Sequence, residues 1–272
     1  MGISDNKSRK LLAMDLDGTA VADNYQMGDR TKAAILKARK AGYVTAFVTG
    51  RRDMDMKSLD KESYCTDYLI LNNGGKIVRC NDGEILYNKK IHQGDCRSLL
   101  DYCLHYNLEL HVCDGMFWAV NILTDETLEY AQELKMIPES YKCAKEIDFR
   151  SGLEGFMAVR DWKQVGHYID AHMPDVTYTL SEPDCIDIMA FGISKWDGIQ
   201  RLAEMKAVSK EHIIAVGNFY NDVDMITHAA IGVAVANAPD DVKAAADYVT
   251  HRTNNEDAVA EVIERFCGIL DD

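Results

Sequence analysis

The stretch Asp15–Thr19 reads DLDGT and follows directly on the apolar run Leu11–Met14. A short apolar run of this kind predicts a buried β-strand, and the Asp-Gly pair after it predicts a turn. Side chains two positions apart in a strand share a face, so Asp15 and Asp17 would both point into one site. The stretch therefore predicts a strand that delivers a pair of carboxylates to a single site.

Two carboxylates on one face repel each other unless a cation lies between them or one of them holds a proton. A hard divalent cation prefers oxygen ligands, which indicates Mg²⁺. Mg²⁺ beside a carboxylate is typical of phosphoryl chemistry in which an aspartate attacks phosphorus and forms an aspartyl-phosphate. Taken alone, the same stretch also fits a strand that ends in an ordinary Asp-Gly turn.

The charge balance of the chain narrows the class of substrate. Of the 272 residues, 44 are Asp or Glu and 30 are Lys or Arg, which gives a net charge of −14. Such a charge disfavours nonspecific binding to nucleic acid and to acidic membrane surfaces. We therefore expect a small-molecule substrate, with neither a nucleic acid nor a membrane as partner. The sequence carries no signal for an oligomeric state.

The cysteines and the N-terminal region indicate a cytoplasmic location. The eight cysteines are scattered without a C-x-x-C pair, and a chain of 272 residues needs no disulfide framework, so we expect reduced thiols. The apolar run after the basic N-terminal residues stops at Asp15, which is too early for a signal-peptide core. We also expect no transmembrane helix, because no stretch approaches the required apolar length.

Strand and helix signals alternate over the first third of the chain. Helical segments at 29–41 and 53–60 separate three predicted strands, Leu11–Leu16, Tyr43–Val48 and Tyr68–Leu71. Strands that are separated by helices imply right-handed crossovers and a parallel sheet. The same alternation resumes after a predicted strand at Ile186–Met189, which predicts that both ends of the chain build one doubly wound core.

The middle of the chain has a different pattern. A hairpin signal at Asn81–Gly83 opens a region of helices and adjacent antiparallel strand pairs, as in an α+β module. We therefore predict an α/β fold with a doubly wound parallel-sheet core of residues 1–82 and 186–272. An inserted α+β domain of residues 83–185 would interrupt this core.

Other polar segments follow the predicted core strands, where open α/β sheets place their sites. After the second strand, Thr49 and Gly50 offer a hydroxyl and backbone N–H groups that can hold a phosphoryl oxygen, although the segment taken alone favours a glycine turn beside a solvated Arg51. Lys195 stands at a predicted helix start and would offset negative charge on Asp15 and on a phosphoryl group. A lone exposed lysine is the alternative there.

A fourth segment lies between the predicted strand at 213–216 and the next helix. Asn218, Asn221 and Asp222 crowd oxygen-bearing side chains into one loop, which fits a metal site. Asp222 could equally be the N-cap of the helix. Four such segments, in an order that one sheet could bring together, favour a common site over four unrelated turns.

The four segments resemble the motifs of the haloacid dehalogenase superfamily, and specifically those of its Cof-type phosphatases. They occur in the family's order, as DLDGT at 15–19, VTGR at 48–51, GISK at 192–195, and GN and ND within 217–222. The resemblance covers essentially the whole chain, because this family inserts a large α/β cap between its second and third motifs. It implies a Rossmann-like core and a cap that closes over it and selects the substrate.

The resemblance also implies roles for the acids and the lysine. Asp15 would be the nucleophile, and Asp17 would act first as general acid and then as general base. Lys195 would pair with Asp15 and with the phosphate. Mg²⁺ would be held by Asp15, by the main-chain carbonyl of Asp17, by Asn218 and by Asp222.

The remaining motif residues would bind the phosphoryl group: Thr49, the Gly50 backbone and Asn221. One position departs from the family pattern, because Asn218 stands where the family usually has Asp. An Asn oxygen can still coordinate a hard cation, but the site loses one negative charge. We therefore expect weaker Mg²⁺ binding rather than an inactive enzyme.

These observations predict a Mg²⁺-dependent phosphatase that acts on a small phosphorylated metabolite, such as a sugar phosphate. A phosphotransferase or mutase on the same fold is one alternative, and a non-catalytic metabolite-binding protein weakened by Asn218 is another. The natural substrate is not encoded in any one motif. Cap residues that could select it include Trp118, Tyr178, Glu182 and Asp184, of which the two aromatic residues fit a core or a sheet face better.

Overall fold

The structure is a computed structural model that describes residues 9–59 and 64–269 as two β-sheets with flanking helices. The strands of these residues are β1 (Lys10–Met14), β2 (Tyr43–Val48), β3 (Tyr68–Leu71), β4 (Lys76–Arg79), β5 (Ile85–Asn88), β6 (Leu110–Asp114), β7 (Phe117–Val120), β8 (Glu139–Ser140), β9 (Gly155–Val159), β10 (Val176–Glu182), β11 (Cys185–Ala190), β12 (Ile213–Gly217), β13 (Ile231–Ala234) and β14 (Tyr248–Val249). Their α-helices are α1 (Asp29–Lys40), α2 (Gln93–Tyr106), α3 (Asp125–Leu134), α4 (Trp162–His172), α5 (Lys195–Lys206), α6 (Val223–His228), α7 (Asp240–Ala244) and α8 (Ala258–Cys267).

The first sheet has the strand order β14-β13-β12-β1-β2-β3-β4-β5, which places the N-terminal strand near its centre. The strands from β14 to β3 are parallel, and β4 and β5 extend one edge as an antiparallel hairpin. Leu12 and Met14 belong to an apolar cluster with α1 and α8, whereas Leu11 and Ala13 pack with α5. Helices thus cover both faces, which confirms the predicted doubly wound core.

The second sheet has the order β10-β11-β9-β6-β7-β8 and is antiparallel except for the short pair of β7 with β8. Helices α2 and α4 cover one face through an apolar cluster that includes Leu99, Leu100, Val165 and Ile169. Side chains of the other face, among them Asp187, line a cleft together with residues of the first sheet. This arrangement positions the inserted segment over the carboxyl ends of the core strands.

Sheet membership corrects the two predicted domain boundaries. β5 lies after residue 82 but belongs to the first sheet, because the turn at Asn81–Gly83 folds it back against β4. Most of β11 lies after residue 185 but belongs to the second sheet, because it pairs with β10 and β9. We therefore place the inserted domain between β5 and α5.

Two local predictions also differ from the structure. The predicted helix at 53–60 forms one 3₁₀ turn at Asp55–Ser58, and residue 60 lies outside the described residues. The strand predicted to precede Lys195 in the core is β11 of the second sheet, so Lys195 enters the site from the first turn of α5 instead. Within the described residues, no helix combines the length and the apolarity needed to cross a bilayer.

Candidate active site

Asp15 lies directly after β1, at the carboxyl edge of the first sheet. Its main-chain N–H donates to the carbonyl of Val216 on β12 at 2.9 Å, which continues the pairing of the two strands. Its side chain is buried and accepts a hydrogen bond at Oδ1 from Lys195 Nζ at 2.7 Å. The same ammonium group donates to Asp222 Oδ1 at 2.6 Å. Lys195 therefore links the end of β1 to the loop after β12.

These three buried groups alter one another's ionisation. Burial raises the pKa of Asp15 to about 7, repulsion from Asp222 acts in the same direction, and Lys195 offsets part of the rise. Burial by itself would lower the pKa of Lys195, but the two carboxylates hold that pKa above its usual value, so the amine stays charged. One cation thus faces two acids, and the site can accept further positive charge.

Asp17 lies at the mouth of the same site and is held by Arg51, which follows β2. Arg51 Nε and Nη2 donate to the two carboxylate oxygens of Asp17, each at 2.7 Å. Arg51 Nη1 also donates to Ser58 Oγ at 2.6 Å and to the main-chain carbonyl of Asp55 at 3.0 Å. The Arg51 side chain is only 11% exposed, so the alternative of a solvated arginine at this turn is wrong.

The Asn218 side chain shows whether these residues suit a magnesium ion. With its NH₂ group toward the acids, Asn218 donates to Asp15 Oδ2 at 3.1 Å and to the main-chain carbonyl of Asp17 at 3.0 Å. In the opposite amide orientation, Asn218 Oδ1 faces Asp15 Oδ2 and the main-chain oxygen of Asp17. Three oxygens this close together would need a cation among them. Neighbouring oxygens around octahedral Mg²⁺ lie about 3 Å apart, since each Mg–O bond measures about 2.1 Å. The donor set therefore fits this ion.

Gly18 allows this close approach. Its φ of +71° lies in the region that favours glycine, and a Cβ atom there would lie 2.4 Å from the amide of Asn218. Within the described residues, no three His, Cys, Asp or Glu side chains converge as a metal site. Here an amide and a main-chain carbonyl would have to take the place of two such ligands, so the fit depends on Asn218 and on the backbone of Asp17.

Asp222, a predicted metal ligand, has other partners in the structure. Its Oδ1 binds Lys195, and its Oδ2 accepts hydrogen bonds from the main-chain N–H groups of Asn218 at 2.8 Å and Phe219 at 3.0 Å. The carboxylate is completely buried, and it makes no capping hydrogen bond to α6. These contacts favour a role in holding Lys195 and the loop, and they support neither the metal-ligand prediction nor the helix-cap alternative.

Thr49, Gly50 and Asn221 meet around Asn73. The buried Thr49 Oγ1 accepts a hydrogen bond from the main-chain N–H of Arg51 at 3.1 Å, which closes the turn after β2. Asn221 Nδ2 donates to Asn73 Oδ1 at 3.1 Å. A Cβ atom at Gly50 would lie 3.2 Å from that same oxygen. The turn after β2 and the loop after β12 therefore both contact Asn73, while phosphate binding by these residues stays a prediction.

A cleft of about 910 Å³ opens above Asp15 between the two sheets. Such a volume suits a small molecule. Predicted site residues line the first-sheet side of the cleft, namely Asp15, Asp17, Thr49, Gly50, Lys195, Asn218 and Asn221. Asp222 is not among the lining residues and supports the site through Lys195. The structure thus brings all the predicted site residues together.

The model of the haloacid dehalogenase-like hydrolase family matches residues 12–263, which is nearly the whole chain. The chain belongs to the haloacid dehalogenase-like hydrolases. This membership confirms the predicted family, and it confirms the prediction of a hydrolase. The family is therefore established independently of the site geometry described above.

Similar proteins agree with this placement of the hydrolase. The 5-amino-6-(5-phospho-D-ribitylamino)uracil phosphatase YcsE of Bacillus subtilis is 28% identical over 269 residues, which cover 94% of this chain and 95% of that protein. The phosphatase YwpJ of the same organism is 25% identical and covers 94% and 99% of the two chains. A solved haloacid dehalogenase-like hydrolase from Bacteroides thetaiotaomicron is 27% identical, with a TM-score of 0.81 over 94% of this chain and 99% of its own. The predicted fold is confirmed.

Arg52 is a candidate functional residue of the hydrolase that the motif pattern does not reveal. Its Nε donates to Asp55 Oδ2 at 2.7 Å, and its Nη2 donates to Tyr130 Oη on α3 at 3.0 Å. Its Nη1 lies 3.9 Å from Asp187 Oδ1 on β11. Arg52 thus extends from the turn after β2 to two elements of the inserted domain, and a second arginine after the VTGR motif is its only sequence signal.

The predicted selectivity residues occupy different places in the hydrolase. Trp118 is buried and donates to His111 Nδ1 at 3.2 Å, and Tyr178 donates to Asp170 at 3.0 Å. Neither aromatic residue lines the cleft, whereas Asp184 does. The Glu182 side chain lies outside the described part of the chain. Trp118 therefore lies behind His111, a residue that lines the cleft, whereas Tyr178 has its partner in Asp170.

Proposed function

We propose that this hydrolase is a Mg²⁺-dependent phosphatase that acts on small phosphorylated metabolites, such as a sugar phosphate, through an aspartyl-phosphate. The observation that carries the proposal is the buried pair of Asp15 and Lys195 at the floor of the cleft. A carboxylate held by a fixed cation beside an open cleft supports a nucleophilic role. The relatives named as phosphatases support the same reaction class.

In this mechanism an oxygen of Asp15 attacks the phosphorus atom of the ester, and the bond from phosphorus to the alcohol oxygen breaks. Asp17 in its protonated form donates this proton to the leaving oxygen. Asp17 then takes a proton from the water that attacks the phosphorus of the aspartyl-phosphate, which releases inorganic phosphate and restores Asp15. Arg51 holds the Asp17 carboxylate at the mouth of the site before the substrate arrives.

The charge on the transferring group is balanced by the surrounding residues. Lys195 donates to Asp15 and offsets the charge that develops on the phosphoryl oxygens. Thr49, the Gly50 N–H and Asn221 bind these oxygens. Asp15, the Asp17 carbonyl and Asn218 would hold Mg²⁺, which supplies additional positive charge when bound. We also propose a cytoplasmic location, which the eight free cysteines support.

Release of phosphate from p-nitrophenyl phosphate in the presence of Mg²⁺ tests this function. We expect release by the wild-type protein and none by Asp15→Asn, which keeps the shape of the side chain but removes the nucleophile. Asp101→Asn on the exposed side of α2 is the matched control and should keep full activity. Failure of the wild type on this ester and on a panel of phosphorylated metabolites would contradict the proposal and favour a non-catalytic binding protein. Transfer to an added alcohol in preference to water would favour a phosphotransferase.

A further inference from the structure

One carboxylate on the second-sheet wall of the cleft, that of Asp187, makes only long contacts to the amide and the guanidinium group next to it. Asp187 lies on β11, whose alternate residues Ile186 and Ile188 pack into the apolar core of the inserted domain. Cys185 and Asp187 therefore face the cleft, and both line it. The Asp187 side chain is only 17% exposed, and burial raises its pKa, with Arg52 acting in the opposite direction.

Asp187 has three described side-chain neighbours, of which the Ser181 hydroxyl is a hydrogen-bond partner that lowers its pKa, and the other two lie at longer distances. Asn73 Nδ2 lies 3.4 Å from Oδ2, and Arg52 Nη1 lies 3.9 Å from Oδ1. Charge-assisted hydrogen bonds of a carboxylate usually measure about 2.7–2.9 Å, so both contacts are long. Arg52 makes its short contact to Asp55 instead, at 2.7 Å. A nearly buried carboxylate with this environment retains the capacity to accept further hydrogen bonds.

Asp187 also lies close to the predicted phosphate site. Its partner Asn73 accepts a hydrogen bond from Asn221 and contacts the turn at Gly50. One amide side chain therefore separates Asp187 from the residues predicted to bind phosphoryl oxygens. A substrate whose phosphorus is bound at Asp15 would place the first atoms of its alcohol portion within reach of this wall.

The charges on this wall favour the same type of partner. Arg52 stands against both Asp55 and Asp187, which leaves one net negative charge in that cluster. Further acids of the inserted domain line the cleft, namely Glu109, Glu126, Glu133 and Asp184. Glu109 is compensated by Arg160, whose Nη2 donates to it at 2.6 Å. The wall therefore attracts hydrogen-bond donors and cations and repels a second anion.

On the basis of the proposed phosphatase function, we propose that Asp187 selects the leaving alcohol. It accepts a hydrogen bond from a hydroxyl or ammonium group near the ester oxygen, and it disfavours leaving groups that carry a carboxylate or a second phosphate. The substrate class is then the monophosphate of a polyhydroxylated or amine-bearing alcohol. Asp187 acts on selectivity and takes no part in the phosphoryl-transfer step itself.

Four phosphate esters of similar size separate the effects of a hydroxyl, an ammonium group and a carboxylate on the alcohol portion. They are n-propyl phosphate, glycerol 3-phosphate, 3-aminopropyl phosphate and 3-phosphoglycerate. We would measure kcat/KM for each ester with the wild type, Asp187→Asn, Asp187→Ala and the control Asp101→Asn. A hydrogen bond to a charged group corresponds to a preference of about tenfold or more, so the wild type should prefer the hydroxyl and ammonium esters over propyl phosphate by that factor. The substrate that carries a carboxylate, 3-phosphoglycerate, should be the poorest of the four.

Asp187→Asn should remove most of the discrimination between 3-aminopropyl phosphate and 3-phosphoglycerate, because it removes the negative charge of the Asp187 side chain. Asp187→Ala should in addition remove the advantage of glycerol 3-phosphate. Hydrolysis of propyl phosphate, which offers Asp187 no hydrogen-bond donor, should change less in both variants than hydrolysis of the hydroxyl and ammonium substrates.

Similar kcat/KM values for all four esters in the wild type would overturn the proposal without any variant. A wild-type ranking that persists in Asp187→Ala, or in Asp187→Asn if the alanine variant does not fold, would overturn it as well. No hydrolysis of any ester by the wild type would instead overturn the proposed function and, with it, the selection by Asp187.

Discussion

The two walls of the cleft differ in how completely their charged groups are bonded. On the first-sheet wall, Lys195 binds Asp15 and Asp222 at 2.7 and 2.6 Å, so its groups are fixed before any ligand enters. On the second-sheet wall, Arg160 binds Glu109 at 2.6 Å, but the contacts of Asp187 with Asn73 and Arg52 measure 3.4 and 3.9 Å. The comparison indicates that the first wall is organised for chemistry and that the second leaves bonds for the substrate to complete. Changes on the first wall should therefore affect rate and stability, and changes on the second should affect selectivity.

The largest effect is expected from Lys195→Met. It leaves Asp15 and Asp222 buried next to each other without their cation, and breaking a buried ion pair in this way costs about 3–5 kcal/mol of stability. Phosphatase activity should be lost as well. Urea unfolding would measure the free energy, with Lys145→Met on the exposed surface expected to stay within about 0.5 kcal/mol of the wild type. Unchanged stability in Lys195→Met would show that the buried network is not formed.

Arg51→Lys should lower kcat by about tenfold, because lysine cannot make the two parallel hydrogen bonds that orient Asp17. The chain offers a matched control in Arg150, which makes the same kind of paired contact with Asp148 on an exposed surface. Steady-state kinetics of Arg51→Lys and Arg150→Lys would be compared. Equal kcat values for both variants and the wild type would show that the paired contact of Arg51 does not orient Asp17 for catalysis.

Asn218→Asp should tighten Mg²⁺ binding, on the order of tenfold, because it adds one negative charge next to Asp15 and the Asp17 carbonyl. Calorimetric titration with Mg²⁺ would measure the affinity without reference to activity, and the Mg²⁺ dependence of phosphate release should shift in the same direction. If the wild type used Mg²⁺ at lower concentrations than the variant, the neutral side chain of Asn218 would not be what weakens Mg²⁺ binding.

Tyr178→Phe should have the smallest effect. The hydroxyl of Tyr178 donates to Asp170 and does not line the cleft, so its loss should cost about 0.5–1.5 kcal/mol of stability at most. The ranking of the four phosphate esters should be the same as in the wild type. A changed ranking would mean that selectivity extends beyond the wall that carries Asp187.

The residues of the first-sheet wall could be predicted from the sequence because they stand in contiguous motifs at the ends of strands. The turn at Asp15–Thr19 and the loop at 217–222 meet because β1 and β12 are neighbours in the sheet. Lys195 also lies next to Asp15, although the strand before it, β11, belongs to the other sheet. A buried apolar strand has the same pattern in either sheet, so the sequence does not show which sheet it joins.

The residues of the second-sheet wall could not be predicted in the same way. Arg52 reaches Tyr130 and Asp187 across more than seventy positions of the chain, and no local pattern encodes such a contact. Asp187 lies inside a strand that the sequence pattern assigns to the core, and no motif marks an acid at that position. The short elements β8, α7 and β14 also have no clear signal, because they are too short for periodicity to mark them.

Acid quenching of the enzyme during turnover of a phosphate ester, followed by peptide mass spectrometry, would detect an aspartyl-phosphate on Asp15. We expect the peptide containing Asp15 to gain the mass of one phosphoryl group, and we expect this modification to be absent from Asp15→Asn. Turnover without any phosphorylated Asp15 peptide, or with the phosphoryl group on a different residue, would contradict this expectation.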